Sequence, residues 1–138
     1  MYAIIMGCGR VGARLATQLS EAGHEVLVLD VTSRAFWRLG PDFKGTTMVG
    51  TGIDVDVLRR AGIERADAFA AVTQGDNRNI MASQIALHIF KVPKVVTRIY
   101  DPIRQDTYAE LGLETISPTV LGATAFMDAI LGAPSGVK

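Results

Sequence analysis

The stretch from Ile4 to Asp30, IIMGCGRVGARLATQLSEAGHEVLVLD, constrains this chain more than any other. An apolar run stops at Gly7. Gly9 and Gly12 complete a G-x-G-x-x-G, a helical pattern follows, and a second apolar run ends in Asp30. Glycine loops are common, but a strand before, a helix after and an acid about 20 residues on form the setting in which such a loop holds a nucleotide. Gly7 permits the tight turn, Gly9 lets the backbone approach a pyrophosphate, and Gly12 lets the helix pack close to the strand. The helix N-terminus adds unpaired amides and a positive dipole end. Asp30 is placed to accept hydrogen bonds from ribose hydroxyls, which disfavours NADP, and Val31 beside it belongs to the same candidate set. Arg34, one turn on, can hold a phosphate or stack on adenine. Arg10 and Val11 lie inside the loop; a guanidinium at Arg10 faces a positive helix end unless it meets phosphate. Cys8 sits near the same helix end, which can lower a thiol pKa, but with only Arg10 as a basic neighbour it reads as loop filler.

The rest of the chain repeats this alternation. Strands are predicted at Tyr2–Met6, Glu25–Asp30, Thr46–Val49, Ala68–Val72, Lys94–Ile99 and Glu114–Ile116. Helices are predicted at Arg10–Ala22, Ser33–Leu39 with Ser33 as cap, Asp54–Ala61, Asp76–Phe90, Pro102–Leu111 and Thr119–Leu131. Short apolar strands separated by helices imply a parallel sheet covered on both faces. Right-handed crossovers then favour an α/β, Rossmann-like, doubly wound six-stranded sheet in the order 3-2-1-4-5-6. Residues 1–131 are expected to form one domain, with 132–138 as a flexible end. The hydrophobic content of 49% supports a packed core in 138 residues. Lys+Arg and Asp+Glu balance at 14 each, so nothing points to nucleic acid. A single cysteine excludes an internal disulfide and a cysteine-based zinc site, and suits a reducing cytoplasm. No signal-peptide pattern opens the sequence, and no apolar run reaches membrane-span length.

From residue 46 onward, MVGTGIDVDVLRRAGIERADAFAAVTQGDNRNIMASQIA, then KVPKVVTRIYDP and LGLETISP, resemble the N-lobe of regulators of potassium conductance. This is the KTN or TrkA-N family of potassium-transport regulators, and the resemblance covers roughly residues 2 to 131. It implies a Rossmann-like cytoplasmic subunit or domain that binds NAD(H), ATP, ADP or AMP. It also implies a homodimer or larger ring that gates a membrane potassium channel or transporter, to which the subunit is held peripherally. Gly7, Gly9, Gly12, Arg10 and Asp30 match the family's phosphate loop and ribose acid. Thr51 and Gly52 stand where the family usually has Asp-Ala, a departure at the adenine edge. Thr73, with Gln74 beside it, matches a residue near the phosphates or second nucleoside. Asp76 and Asn79 match a D-x-x-N whose roles are helix capping or ligand contact. Arg98 matches an arginine on the fifth strand, whose partner would be a phosphate, Asp101 or Asp76. The last helix, 119–131, is apolar nearly all round, and in the family it crosses to a partner domain.

His24 and His88 have no second ligand at metal spacing, and no Walker lysine or nucleophile elbow occurs. Three functions follow from these residues. They are a non-enzymatic nucleotide sensor, the cofactor domain of an NAD-dependent oxidoreductase, and an assembly module without ligand. The missing substrate domain and acid–base group favour the sensor.

Overall fold

The computed structural model describes residues 1–132. Six parallel strands form one sheet in the order β3-β2-β1-β4-β5-β6. They are β1 Tyr2–Met6, β2 Glu25–Asp30, β3 Thr46–Val49, β4 Ala68–Ala71, β5 Lys94–Arg98 and β6 Glu114–Ile116. This is the predicted Rossmann-like fold and strand order. The end expected to be flexible lies, after Gly132, outside the described residues.

Strand register assigns the two faces. Ile4, Leu27, Phe69 and Val95 lie on one face, with Ile4 opposite Leu27 and Phe69, and Phe69 opposite Val95. They pack against Leu58 of α2 (Val55–Arg60) and Ala82 of α3 (Asp76–Gln84). On the other face Ile5, Val26 and Val28 pack under Ala13 and Ala16 of α1 (Arg10–Glu21) and under Leu39. Helix α4 (Pro102–Glu110) sits against β6. Asp54, Asp101 and Ser117 cap α2, α4 and α5 (Pro118–Leu131) with side-chain oxygens.

Three elements differ from expectation. Residues 33–39 form a tighter 3-10 segment, entered from Thr32 without any side-chain cap, so Ser33 caps nothing. The long helix expected over 76–90 is α-helical only to Gln84. It then widens into a π-turn over Ile85–Ile89, where the Phe90 amide donates to the Ile85 carbonyl at 3.2 Å. Lys91 leaves that turn at φ 55°, so the chain reverses toward β5 at once. Finally, α5 begins at Pro118 and buries none of its residues.

That last feature leaves a gap in the second layer. On the α1 face the outer half of the sheet, from β4 to β6, has no helix over it among the described residues. Ala68, Ala70, Val96 and Ile116, with Leu15 and Leu19 of α1, line an apolar groove of about 490 Å³ there. The Lys94–Glu114 ion pair, 2.9 Å, closes one end of this face and Arg98 stands at the other.

Candidate functional site

The helices that follow β1 and β4 lie on opposite faces of the sheet, so the two strands part at their carboxyl ends. In doubly wound sheets this is where a ligand crevice opens. A cleft of about 150 Å³ lies there, lined by Gly7 and Gly9 after β1, Asp30 and Val31 after β2, Thr51 after β3, and Thr73 and Gln74 after β4.

The glycine loop is shaped by close approach. Gly7 has φ 108°, and a Cβ there would come within 2.9 Å of the Thr73 amide nitrogen. A Cβ at Gly12 would overlap the Gly7 carbonyl oxygen at 1.7 Å, so α1 can start this near β1 only with glycine. Gly9 faces open space, where a ligand would approach the backbone. The first intrahelical bond of α1 runs from the Ala13 amide to the Gly9 carbonyl at 2.9 Å. The amides of Arg10, Val11 and Gly12 are therefore left for other acceptors.

Asp30 is fixed before any ligand arrives. One carboxylate oxygen accepts the Cys8 amide at 2.8 Å, the other the Thr32 amide at 2.9 Å. Each oxygen keeps a further lone pair for a hydroxyl donor. Cys8 itself is fully buried. Burial first, and the Asp30 carboxylate second, push its thiol up, with Arg38 pulling the other way. The thiolate that a helix N-terminus can favour is thus disfavoured, in line with the reading of Cys8 as loop filler.

Behind the cleft, Asn79 is a fastener. It is fully buried, and its amide oxygen accepts from the Thr73 amide at 3.0 Å and the Thr73 hydroxyl at 2.6 Å. Its NH2 donates to the carbonyls of Thr73 at 2.9 Å and Arg98 at 3.0 Å. Of the two roles open to the D-x-x-N pair, Asn79 takes neither: it holds the ends of β4 and β5 together and presents Thr73. Asp76 does not cap α3 either, because Gly75 occupies the cap position. Its carboxylate accepts the amides of Tyr100 at 2.8 Å and Asp101 at 3.2 Å, which ties down the loop after β5.

The remaining candidates lie away from the cleft. Gly52 is buried against Met6, whose Sδ would stand 2.1 Å from a Cβ at that position. Packing therefore accounts for glycine in place of alanine at 52, while Thr51, in place of the aspartate, stays in the cleft lining. Arg10 points to the outer side of α1, into a separate cleft shared with Arg14, Trp37 and Arg38. Val11 lines the apolar groove. Arg34 is exposed outside the cleft lining. Arg98 pairs with neither Asp76 nor Asp101. Its Nη1 donates to the Val72 carbonyl at 3.3 Å, its guanidinium lies 4.2 Å over the Tyr100 ring, and its buried Nε has no partner. Sequence reasoning passed over Arg78, which does line the cleft. The available signal was a cation on the first turn of the helix that follows Gly75, the same signal read at Arg10. Among the described residues no cluster of His, Cys, Asp or Glu could hold a metal, and no helix is long and apolar enough to cross a membrane.

The family model of the TrkA-N domain matches residues 3–118. The Trk system potassium uptake protein TrkA of Streptomyces coelicolor is 46% identical over 138 residues, all of this chain and 61% of that protein. The chain thus spans about three-fifths of that relative's length. Among solved structures, the Kef CTD of Shewanella denitrificans in its AMP-bound form superposes with a TM-score of 0.79 at 22% identity, covering 99% of this chain and 86% of that one. The GsuK channel bound to NAD superposes with a TM-score of 0.80 at 22% identity, covering 94% of this chain and 23% of that one. At that identity both likenesses speak to fold.

Proposed function

Because the chain belongs to the TrkA-N domain family, we propose that it is a cytoplasmic regulatory module. It takes an adenine nucleotide, NAD(H) or ATP, ADP or AMP, into the cleft between β1 and β4. As a homodimer or larger ring it gates a membrane potassium channel or transporter subunit. The observation that carries the nucleotide reading is the prepared cleft. It combines free α1 amides, open backbone at Gly9 and an acid already held by two amides. The cleft's lining holds one carboxylate, already bound, and one guanidinium. That suits binding better than proton transfer, and so favours a sensor over an oxidoreductase.

The dimer reading rests on complementarity. Helix α5 presents Phe126, Ile130 and Leu131 at 75%, 82% and 71% exposure, while the same chain carries an unfilled apolar groove over β4–β6. A second copy, with each α5 in the other's groove, covers both surfaces in a closed, self-complementary pair. Nucleotide then shifts the equilibrium between arrangements of that pair only through unequal affinity for them.

The test is thermal denaturation of the protein with NAD⁺, NADH, NADPH, ATP, ADP or AMP. Ligand at about 100 times its dissociation constant adds about 2.7 kcal/mol, a shift of several degrees. The expected result is a selective shift that Asp30→Ala abolishes. No shift with any of them would overturn the sensor in favour of an assembly module.

A further inference from the structure

One cation faces the cleft from the side opposite the glycine loop. Arg78 is the third residue of α3, a position where the positive end of the helix dipole disfavours a guanidinium. It is exposed and enters none of the ion pairs among the described residues. Its side chain folds back over the turn from β4. A Cβ at Gly75 would stand 2.8 Å from its Nε, 3.0 Å from its Nη2 and 3.2 Å from its Cζ. Gly75 itself has φ −105° and ψ 112°, a conformation open to any residue. The absence of a Cβ at Gly75 lets the guanidinium lie against this turn, where a side chain would displace it.

We infer that Arg78 reads the second phosphate of the bound nucleotide, so that the site selects nucleoside diphosphates and dinucleotide pyrophosphates over a monophosphate. The inference rests on the nucleotide reading above. Asp30 and Thr51 place the nucleoside on the β1–β3 side, and the free amides of α1 take the first phosphate. A chain of phosphates continuing toward Thr73 and Gln74 crosses to the β4 side, where Arg78 supplies a planar two-pronged donor. Arg10, which the loop motif alone would nominate, faces away from this path.

The experiment is titration calorimetry with AMP, ADP and NAD⁺ on the wild-type chain, Arg78→Gln, Gly75→Ala, the double variant and Arg104→Gln. Arg104 is a nearby cation outside the cleft, bonded to Asn77 at 2.6 Å. Gly75→Ala keeps the charge and displaces it, and the clash falls on the flexible end of a side chain. Both Arg78→Gln and Gly75→Ala should lower the ADP-to-AMP affinity ratio about tenfold, the scale of one charge-assisted contact. The double variant should add little, and Arg104→Gln should leave the ratio alone. ADP binding with an unchanged ratio in both single variants would overturn the role of Arg78 while leaving the nucleotide site standing. A wild-type chain that bound none of the three would overturn both. Unliganded melting temperatures equal to wild type exclude misfolding as the cause of any change.

Discussion

Asn79 shows how a polar residue can serve a site without touching its contents. All four of its hydrogen bonds are internal, and two of them set the Thr73 backbone. Replacing it with alanine strands the Thr73 amide and two carbonyls in a buried place. The expected cost is about 2–4 kcal/mol, read as a lower urea midpoint. Weaker nucleotide binding should accompany it, because Thr73 loses its anchor. The glycines of the loop were legible in the sequence, since a turn, a backbone approach and a helix contact each exclude a side chain. Arg10 and Arg78 were not distinguishable there. Both open a helix after a strand, and only the phase of each helix turns one outward and the other into the cleft. Gly52 was misleading for a related reason: its neighbour Met6 is 46 residues away in sequence and becomes visible only when β1 is folded beside it.

Elements were read well where periodicity was strong and poorly where the backbone changed its hydrogen-bond step. Every strand was legible in place, most clearly β1 and β2 as apolar runs next to a turn signal. The π-turn at Ile85–Ile89 was not, because apolar residues on both sides of a short helix leave the repeat ambiguous. The excess apolarity of the last helix was legible as surplus to its own core. The groove that matches it was not, because it is assembled from β4, β5, β6 and α1. The prediction at this scale is that the wild type scatters light as the proposed dimer at micromolar concentration and that Phe126→Glu with Ile130→Glu scatters as a monomer. The monomer should keep the wild-type far-UV circular dichroism, since no residue of α5 is fully buried within its own chain, and should melt lower than the wild type by the stabilisation that association adds. A wild-type chain that is already monomeric at high concentration would count against the pairing.

At the scale of the whole molecule, the central strand β1 is bracketed by two buried acids. Tyr2 packs at its start, where its hydroxyl donates to the Ala61 carbonyl, and Cys8 lies just past its end. Burial raises both pKa values above their ordinary 10.0 and 9.0. With a raised folded-state pKa, the neutral form stabilises the fold fully below the unfolded value. That stabilisation is lost as pH climbs, because the unfolded chain releases its proton first. Stability should therefore decline from about pH 9 upward, with Cys8 contributing first. Cys8→Ala should delay the onset toward the Tyr2 range, measured as the urea midpoint against pH. On the acid side, the Arg65 guanidinium holds Glu25 below its usual range, but the pair is exposed at the surface and contributes little.

The proposed seating of the projecting helix α5 in the groove of a second copy has a hereditary consequence. In a closed pair every substitution is present twice, so a change at Ile130 or Val96 alters both seams of the assembly together. Drift in the helix is tolerated only alongside drift in the groove, and the two diverge as a unit from those of sister chains made in the same cell. In the proposed pair, the seam between two copies would thereby be the means by which a subunit tells its own kind from a near relative.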